Sequence, residues 1–234
     1  MKLHHLLCAT AVLALAAPGA ALAGPAYNWS GAYVGGQAGY GWSSTTSGPT
    51  TAFDDPEDAF VEDAFTYTGN GFIGGGEAGY NWQSGPLVVG VVGDISAANI
   101  TGSVSNSTYN YTLSSTINWL STARFNVGAP LGNLLVYGTG GIAFGNVSST
   151  LNDNYPSDDT VITSNLSSNN VGWTVGAGIA APVAHNWFVK AEYLYVDLGT
   201  QNYSLSEPDP GWAQINGSNH TTANIFRASV DYKF

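Results

Sequence analysis

The sequence predicts an all-β chain closed as an eight-stranded antiparallel up-and-down transmembrane β-barrel. Three observations predict it. Eight segments alternate apolar and polar residues with period two. Their connections alternate between short and long. The charges within those segments fall on the face away from the large apolar side chains.

The first residues set the compartment. Lys2, the apolar run 6–17 and the stretch Ala21, Leu22, Ala23 form the n-region, h-region and cleavage site of a secretory signal peptide spanning residues 1–23. The run is too short to cross a bilayer as a helix. Cleavage before Gly24 removes Cys8, so the expected mature chain, 24–234, has no cysteine for disulfides or thiolate metal sites. It also removes Lys2, which moves the formal charge from −11 to −12. Charged residues make up 9% of the chain, where roughly a quarter is usual in soluble domains. No later stretch is long and apolar enough for a transmembrane helix, so any crossing must be made by strands.

Residues 24–30 are expected to form a short periplasmic N-terminal segment, and 31–234 the barrel. The predicted strands are 31–42, 71–82, 86–98, 115–128, 134–146, 171–181, 186–198 and 223–234. Each is close to the roughly 9–11 residues a tilted strand needs to cross a bilayer. The connections 83–85, 129–133 and 182–185 are short. Those at 43–70, 99–114, 147–170 and 199–222 are long and rich in Ser, Thr, Asn and Asp. Short turns at one end and long loops at the other are the pattern of an outer-membrane barrel. Segment 31–42 resembles 71–82, which either an old hairpin duplication or shared strand chemistry explains.

The mature chain has four basic residues, Arg124, Lys190, Arg227 and Lys233, all in predicted strands. Four acids, Glu77, Asp94, Glu192 and Asp231, lie in strand interiors too. The charged face is rich in glycine, as at Gly35, Gly75, Gly79 and Gly176, whereas the other face is bulky and aromatic. The narrow interior of eight strands accepts the first set and not the second. The charges therefore point inward as a balanced set of four cations and four anions. They are expected to pair, because unpaired charges there would be costly. The alternation in 134–146 leaves the facing of Leu135 and Tyr137 open.

The aromatic residues suit two interfacial girdles. Tyr40, Trp42, Phe72, Trp119, Phe144, Trp173, Tyr193, Tyr195 and Phe226 are expected at the outer rim. Tyr80, Trp82, Phe125, Trp187, Tyr232 and Phe234 are expected at the periplasmic rim.

Segments 29–36 and 190–199, the Ala-Gly-Tyr strands at 38–40 and 78–80, and the ending Val230, Asp231, Tyr232, Lys233, Phe234 carry a resemblance. They resemble the small outer-membrane β-barrel family of alphaproteobacteria, the opacity-type porin group that includes major surface antigens of Brucella and Rhizobium relatives. The resemblance implies insertion by the outer-membrane assembly machinery, which reads the terminal strand through Val230, Tyr232 and Phe234. It implies abundant surface proteins, some porin-like and some binding haemin or host surfaces, and supplies no catalytic residues.

Other motifs point to no chemistry. The glycines at 74, 76 and 79 match a dinucleotide-binding pattern, but that pattern needs a following helix, and here it lies inside a strand. His185 sits in a short turn. His220, with Ser218 or Asp209, is the nearest approach to a catalytic pair, and with Tyr203 the nearest to a haem ligand set; a solvated loop histidine is the plainer expectation. Asp54, Asp55, Glu57 and Asp58 cluster, but their spacing matches no calcium loop and a solvated acidic tip is expected. No cofactor is expected, and the absence of a basic patch excludes nucleic acid.

The expected protein is no enzyme. It is a structural barrel in the outer membrane of a Gram-negative bacterium, exported through the Sec pathway, contributing to envelope integrity and surface display. The alternatives are a narrow porin passing small ions or solutes, and a haemin receptor or adhesin acting through the outer loops. Expected partners are outer-membrane lipid and lipopolysaccharide, the assembly machinery and periplasmic chaperones, with a host surface or haemin under the last alternative.

Overall fold

A computed structural model describes residues 27–48, 50–53, 60–62, 65–106, 111–155, 160–206 and 214–234. The expected signal segment with Cys8 lies outside these residues, as do Asp54, Asp55, Glu57, Asp58 and Asp209.

Ten strands follow in order: β1 (Gly31–Ser47), β2 (Thr50–Phe53), β3 (Phe60–Glu62), β4 (Phe65–Ser84), β5 (Leu87–Asn106), β6 (Tyr111–Leu131), β7 (Leu134–Tyr155), β8 (Thr160–Pro182), β9 (Trp187–Ser206) and β10 (Gln214–Lys233). Eight of them, β1 and β4 to β10, pair with their sequence neighbours, and β1 closes the ring by pairing with both β4 and β10. Every pairing is antiparallel, and closure leaves no edge within the membrane. At the end with short connections, two-residue turns join β4 to β5 and β6 to β7. Gly85 (φ 58°) and Gly132 (φ 65°) supply the positive φ these turns need.

The strands are longer than expected. The barrel strands run from 17 to 23 residues, so much of 43–70, 99–114, 147–170 and 199–222 is strand and not loop. β2 and β3 add a small flap on β10, where Thr51 to Phe53 pair with Asn216 to Gln214. Hydropathy marks these extensions poorly because Ser, Thr and Asn dominate them, with only isolated apolar residues such as Tyr67, Ile100 and Val147 turned inward. Cross-strand hydroxyl pairs help to hold them instead: Thr45 with Thr221 at 3.3 Å, Thr46 with Thr66 at 3.0 Å and Thr101 with Thr116 at 3.0 Å.

The outward face is apolar. Phe72, Phe125 and Ile95 are 77%, 71% and 64% exposed, and a continuous apolar belt of this kind requires lipid. Leu135 and Tyr137, left open by the sequence, point inward at 5% and 4% exposure.

The girdle prediction changes at one residue. Phe125 lies six residues in from the Leu131 end of β6, so it belongs to the middle of the apolar band. Phe226 pairs with Tyr193 on one side and with Tyr40 on the other, and Tyr40 with Phe72, as one outward aromatic row. Trp82, Trp187 and Tyr232 lie at the periplasmic ends of their strands; Tyr232 packs between Trp187 (centroids 5.1 Å apart) and Phe234 (5.3 Å). Trp173 packs at a tilt against Tyr195 at 5.5 Å, and Tyr40 edge-on to Trp42 at 5.7 Å, toward the outer side.

Candidate functional site

The lumen is layered. At its centre two arginines and two carboxylates alternate around a closed ring. Arg124 reaches Asp94 (3.1 Å) and Glu192 (3.3 Å); Arg227 reaches Asp94 (3.2 Å) and Glu192 (2.7 Å). Strand register builds the ring. Arg227 pairs directly with Glu192 across β9 and β10, and Asp94 with Thr122 across β5 and β6. Thr122 donates to Asp94 at 2.5 Å and accepts from Arg124 Nε at 2.8 Å. Tyr137 donates to Glu192 at 2.8 Å, and Arg124 donates to Thr139 at 3.2 Å. All four charged side chains are at most 4% exposed. Ionic hydrogen bonds of this kind offset the cost of removing the charges from water.

A second group lies on the periplasmic side. Lys190 Nζ is 2.9 Å from Glu77 and 3.6 Å from Asp231, and sits 4.7 Å from the Tyr33 ring centroid. Ser229 donates to Asp231 at 2.7 Å.

Lys233 corrects the balanced set. It is half-buried at the periplasmic rim, where its ammonium lies 4.3 Å from the Tyr27 ring centroid and donates to the Asn28 carbonyl. The residue closes on the N-terminal segment and not on the lumen cluster.

The lumen is also more apolar than its charges and glycines predict. Above the arginine ring Ile73, Ile100, Leu120, Leu194, Val196 and Ile225 fill the barrel. Below it Trp29, Tyr33, Val88, Leu135 and Phe188 do the same. Trp29 enters from the N-terminal segment and packs edge-on to Phe188 at 5.7 Å, while its backbone N–H donates to Gln83 at 2.8 Å. Desolvation beside this plug raises the Tyr27 phenol above its ordinary pKa. A cavity of about 10 Å³ is left among Trp29, Asn126, Phe188 and Lys190, barely one water's worth of space. Phe188 and Leu194 share the parity of Lys190 and Glu192, so alternation alone could have found them. Trp29 precedes the first strand, so no periodic signal marked it.

The remaining expectations fall elsewhere. His220 faces Asp197 (3.6 Å) and Thr200 (3.1 Å) where β10 bulges before Thr222. It meets neither Ser218 nor any described haem-ligand partner; the side chain of Tyr203 lies outside the described residues. His185 is exposed in its turn. The glycine pattern at 74–79 runs through the interior of β4. Among the described residues no three His, Cys, Asp or Glu side chains converge as a metal set.

Comparisons with known proteins agree with this architecture. The family model described as "Outer membrane protein beta-barrel domain" matches residues 7–234. The 31 kDa outer-membrane immunogenic protein of Brucella melitensis is 34% identical over 93% of this chain and 89% of its own length. The 22 kDa outer membrane protein of Rhizobium leguminosarum is 33% identical over 77% of this chain and 70% of its own length. Among solved structures, the outer membrane protease OmpT of Escherichia coli superposes with a TM-score of 0.52 at 10% identity, covering 87% of this chain and 97% of that one, a likeness of fold alone.

Proposed function

Because the chain belongs to the outer membrane protein beta-barrel domain family, we propose that it acts as a closed barrel that reinforces the outer membrane and displays its hairpins at the cell surface. It lies in the outer membrane of a Gram-negative bacterium. What carries the structural reading is the filled lumen. An apolar layer, an ionic layer and a second apolar layer follow one another along the axis, with a void of about 10 Å³ among the lower side chains. Among the described residues such an interior leaves little room for a water path, which favours a closed barrel over a narrow porin.

The relatives named as immunogenic support surface display: the polar extensions of β4 to β10 form the part that antibodies would meet. On the lipid side, the apolar face takes acyl chains and the girdles take the headgroup region of lipid and lipopolysaccharide. Val230 and Tyr232 of β10 and Phe234 just beyond its end face outward, accessible to the assembly machinery and its chaperones before insertion.

Planar-bilayer recording of the refolded mature chain tests the reading. A correctly folded barrel should be silent. Reproducible conductance steps whose selectivity shifts in Arg124→Gln would overturn the closed barrel in favour of a narrow porin.

A further inference from the structure

The lipid-facing side of the barrel is uneven. One row across five strands reads Ala191 on β9, Ala228 on β10, Ala38 on β1, Gly74 on β4 and Ala97 on β5, each the register partner of the next. All five point outward, because their chain neighbours Glu192, Arg227, Gln37, Ile73 and Ser96 are buried in the lumen. Ile179 on β8 and Trp119 on β6 bound the row at its ends. On its outer side stands the aromatic row of Tyr193, Phe226, Tyr40 and Phe72. On its periplasmic side run Val189, Val230, Gly36, Gly76 and Ile95. The result is an apolar trough in two joined parts. One, of about 730 Å³, runs from Ala228 to Asn99; the other, of about 650 Å³, runs from Ala38 to Ala181; both include Ala38 and Ala228. These volumes match small-ligand sites.

The fold does not require so low a floor. Inward glycines on the same strands are forced by crowding: a Cβ at Gly39 would overlap the Phe226 carbonyl oxygen, and one at Gly75 that of Ile95. At Gly74, Gly76 and Gly36 the nearest atom to a Cβ would be 3.5, 3.6 and 4.0 Å away, which is ordinary contact. Glycine weakens a strand interior, and it marks places where a ligand approaches the backbone closely. The wall above the floor is held in place. Tyr40 packs edge-on to Phe72, centroids 5.2 Å apart, and donates to Asn70 at 2.6 Å; Tyr193 donates to Asn224 at 2.6 Å. Phe72 and Phe226 project from this wall. They hold off the broad face of a second barrel, whereas a single chain of methylenes can lie beneath them.

The trough rises toward the outer leaflet. Ala191 is near the periplasmic start of β9, whereas Ala97 is midway along β5 and Asn99 is farther toward its outer end. Tilted strands give such a row its oblique course. At the upper end Asn99 accepts from Thr101 through Oδ1 at 3.3 Å, which keeps its amide N–H groups to offer. No lysine or arginine stands there, because those after residue 23 are Arg124, Lys190, Arg227 and Lys233. An uncharged hydroxyl or amide suits this end, and a phosphate does not.

We propose that the trough is a binding site for one acyl chain of outer-leaflet lipopolysaccharide, with the hydroxyl or amide at the head of that chain against Asn99. The site rests on the apolar belt facing lipid and not on closure of the lumen, so lipid binding and conductance test separate claims.

Native mass spectrometry of the refolded mature chain in detergent micelles tests the site, with lipid A and phosphatidylethanolamine titrated separately. One lipid A should stay on each barrel under activation that strips phosphatidylethanolamine. Gly74→Val and Ala38→Leu fill the trough from outside the strands. Both should keep the wild-type denaturant midpoint and bind lipid A about tenfold more weakly, the value of roughly two displaced methylenes. Ala38 already carries a Cβ, so its variant decides the matter should Gly74→Val fold poorly. Ile142→Leu, outward on β7 and away from the trough, should bind as the wild type does. Unchanged lipid A affinity in the folded trough variants overturns the proposal. Equal retention of phosphatidylethanolamine also overturns it, by making the trough part of a general lipid belt. So does a wild-type dimer that the trough variants separate, which would assign the trough to a second copy.

Discussion

Arg227 and Glu192 are cross-strand partners in the β9–β10 ladder and also ion-pair partners, Nη2 to Oε2 at 2.7 Å. The backbone register therefore delivers both charges to the same height of the lumen. The side-chain bond in turn holds that register, because slipping β10 by one residue would turn Arg227 to the lipid.

Glu192→Gln should destabilise the barrel by about 3–5 kcal/mol, since both arginines would keep only Asp94 as a full counter-charge. Lys233→Met, at the rim, should cost no more than about 1 kcal/mol. Denaturant unfolding in detergent micelles measures both, and equal costs would contradict the separation of Lys233 from the ring.

Trp29→Ala should cost about 3–5 kcal/mol by opening a void beside Phe188. The ionic and upper apolar layers would still close the lumen, so the variant should remain silent in a planar bilayer. Conductance from this change alone would mean that the lower plug is the only barrier.

Phe125→Arg should cost about 2–4 kcal/mol in lipid and Trp82→Arg about 0–1 kcal/mol, following depth in the bilayer. Folding into liposomes at several denaturant concentrations gives both values. A Phe125 cost as small as that of Trp82 would return Phe125 to the rim.

Phe234→Ala should change the stability of the purified barrel by about 0.5 kcal/mol or less, because the side chain is 73% exposed and lies chiefly against Tyr232. Its amount in the outer membrane of cells should fall sharply if the terminal aromatic is the assembly signal. Normal membrane levels would remove that role.

Much of this was legible in the primary sequence, for a physical reason. Where one face meets lipid and the other a charged lumen, alternation is strong, as in the strand ending at Phe234. It separates Arg227 and Asp231 from Phe226 and Val230 without ambiguity. Legibility failed where both faces are alike. The Ser- and Thr-rich extensions near Thr45 and Thr221 carry no hydropathy contrast, so the sequence alone reads them as loops. It also failed where inward residues are themselves apolar: Leu194 and Ile225 are large, buried and inside, against the expectation that bulk belongs outside. The over-count of interior charge came from Lys233, whose parity is inward but whose position at the strand end lets it reach Tyr27 and Asn28.

The placement of the basic residues has a consequence for how the molecule can be handled. After residue 23 every lysine and arginine lies in the lumen or at the periplasmic rim, so the segments between the outer ends of the strands contain no bond that trypsin recognises. Intact cells treated with that protease should keep the whole antigenic surface, and tryptic peptide mapping would cover it poorly, because its four outer segments fall within three long fragments, 24–124, 125–190 and 191–227. An enzyme that cuts beside acidic or aromatic residues is the one that would shave this protein from the outside.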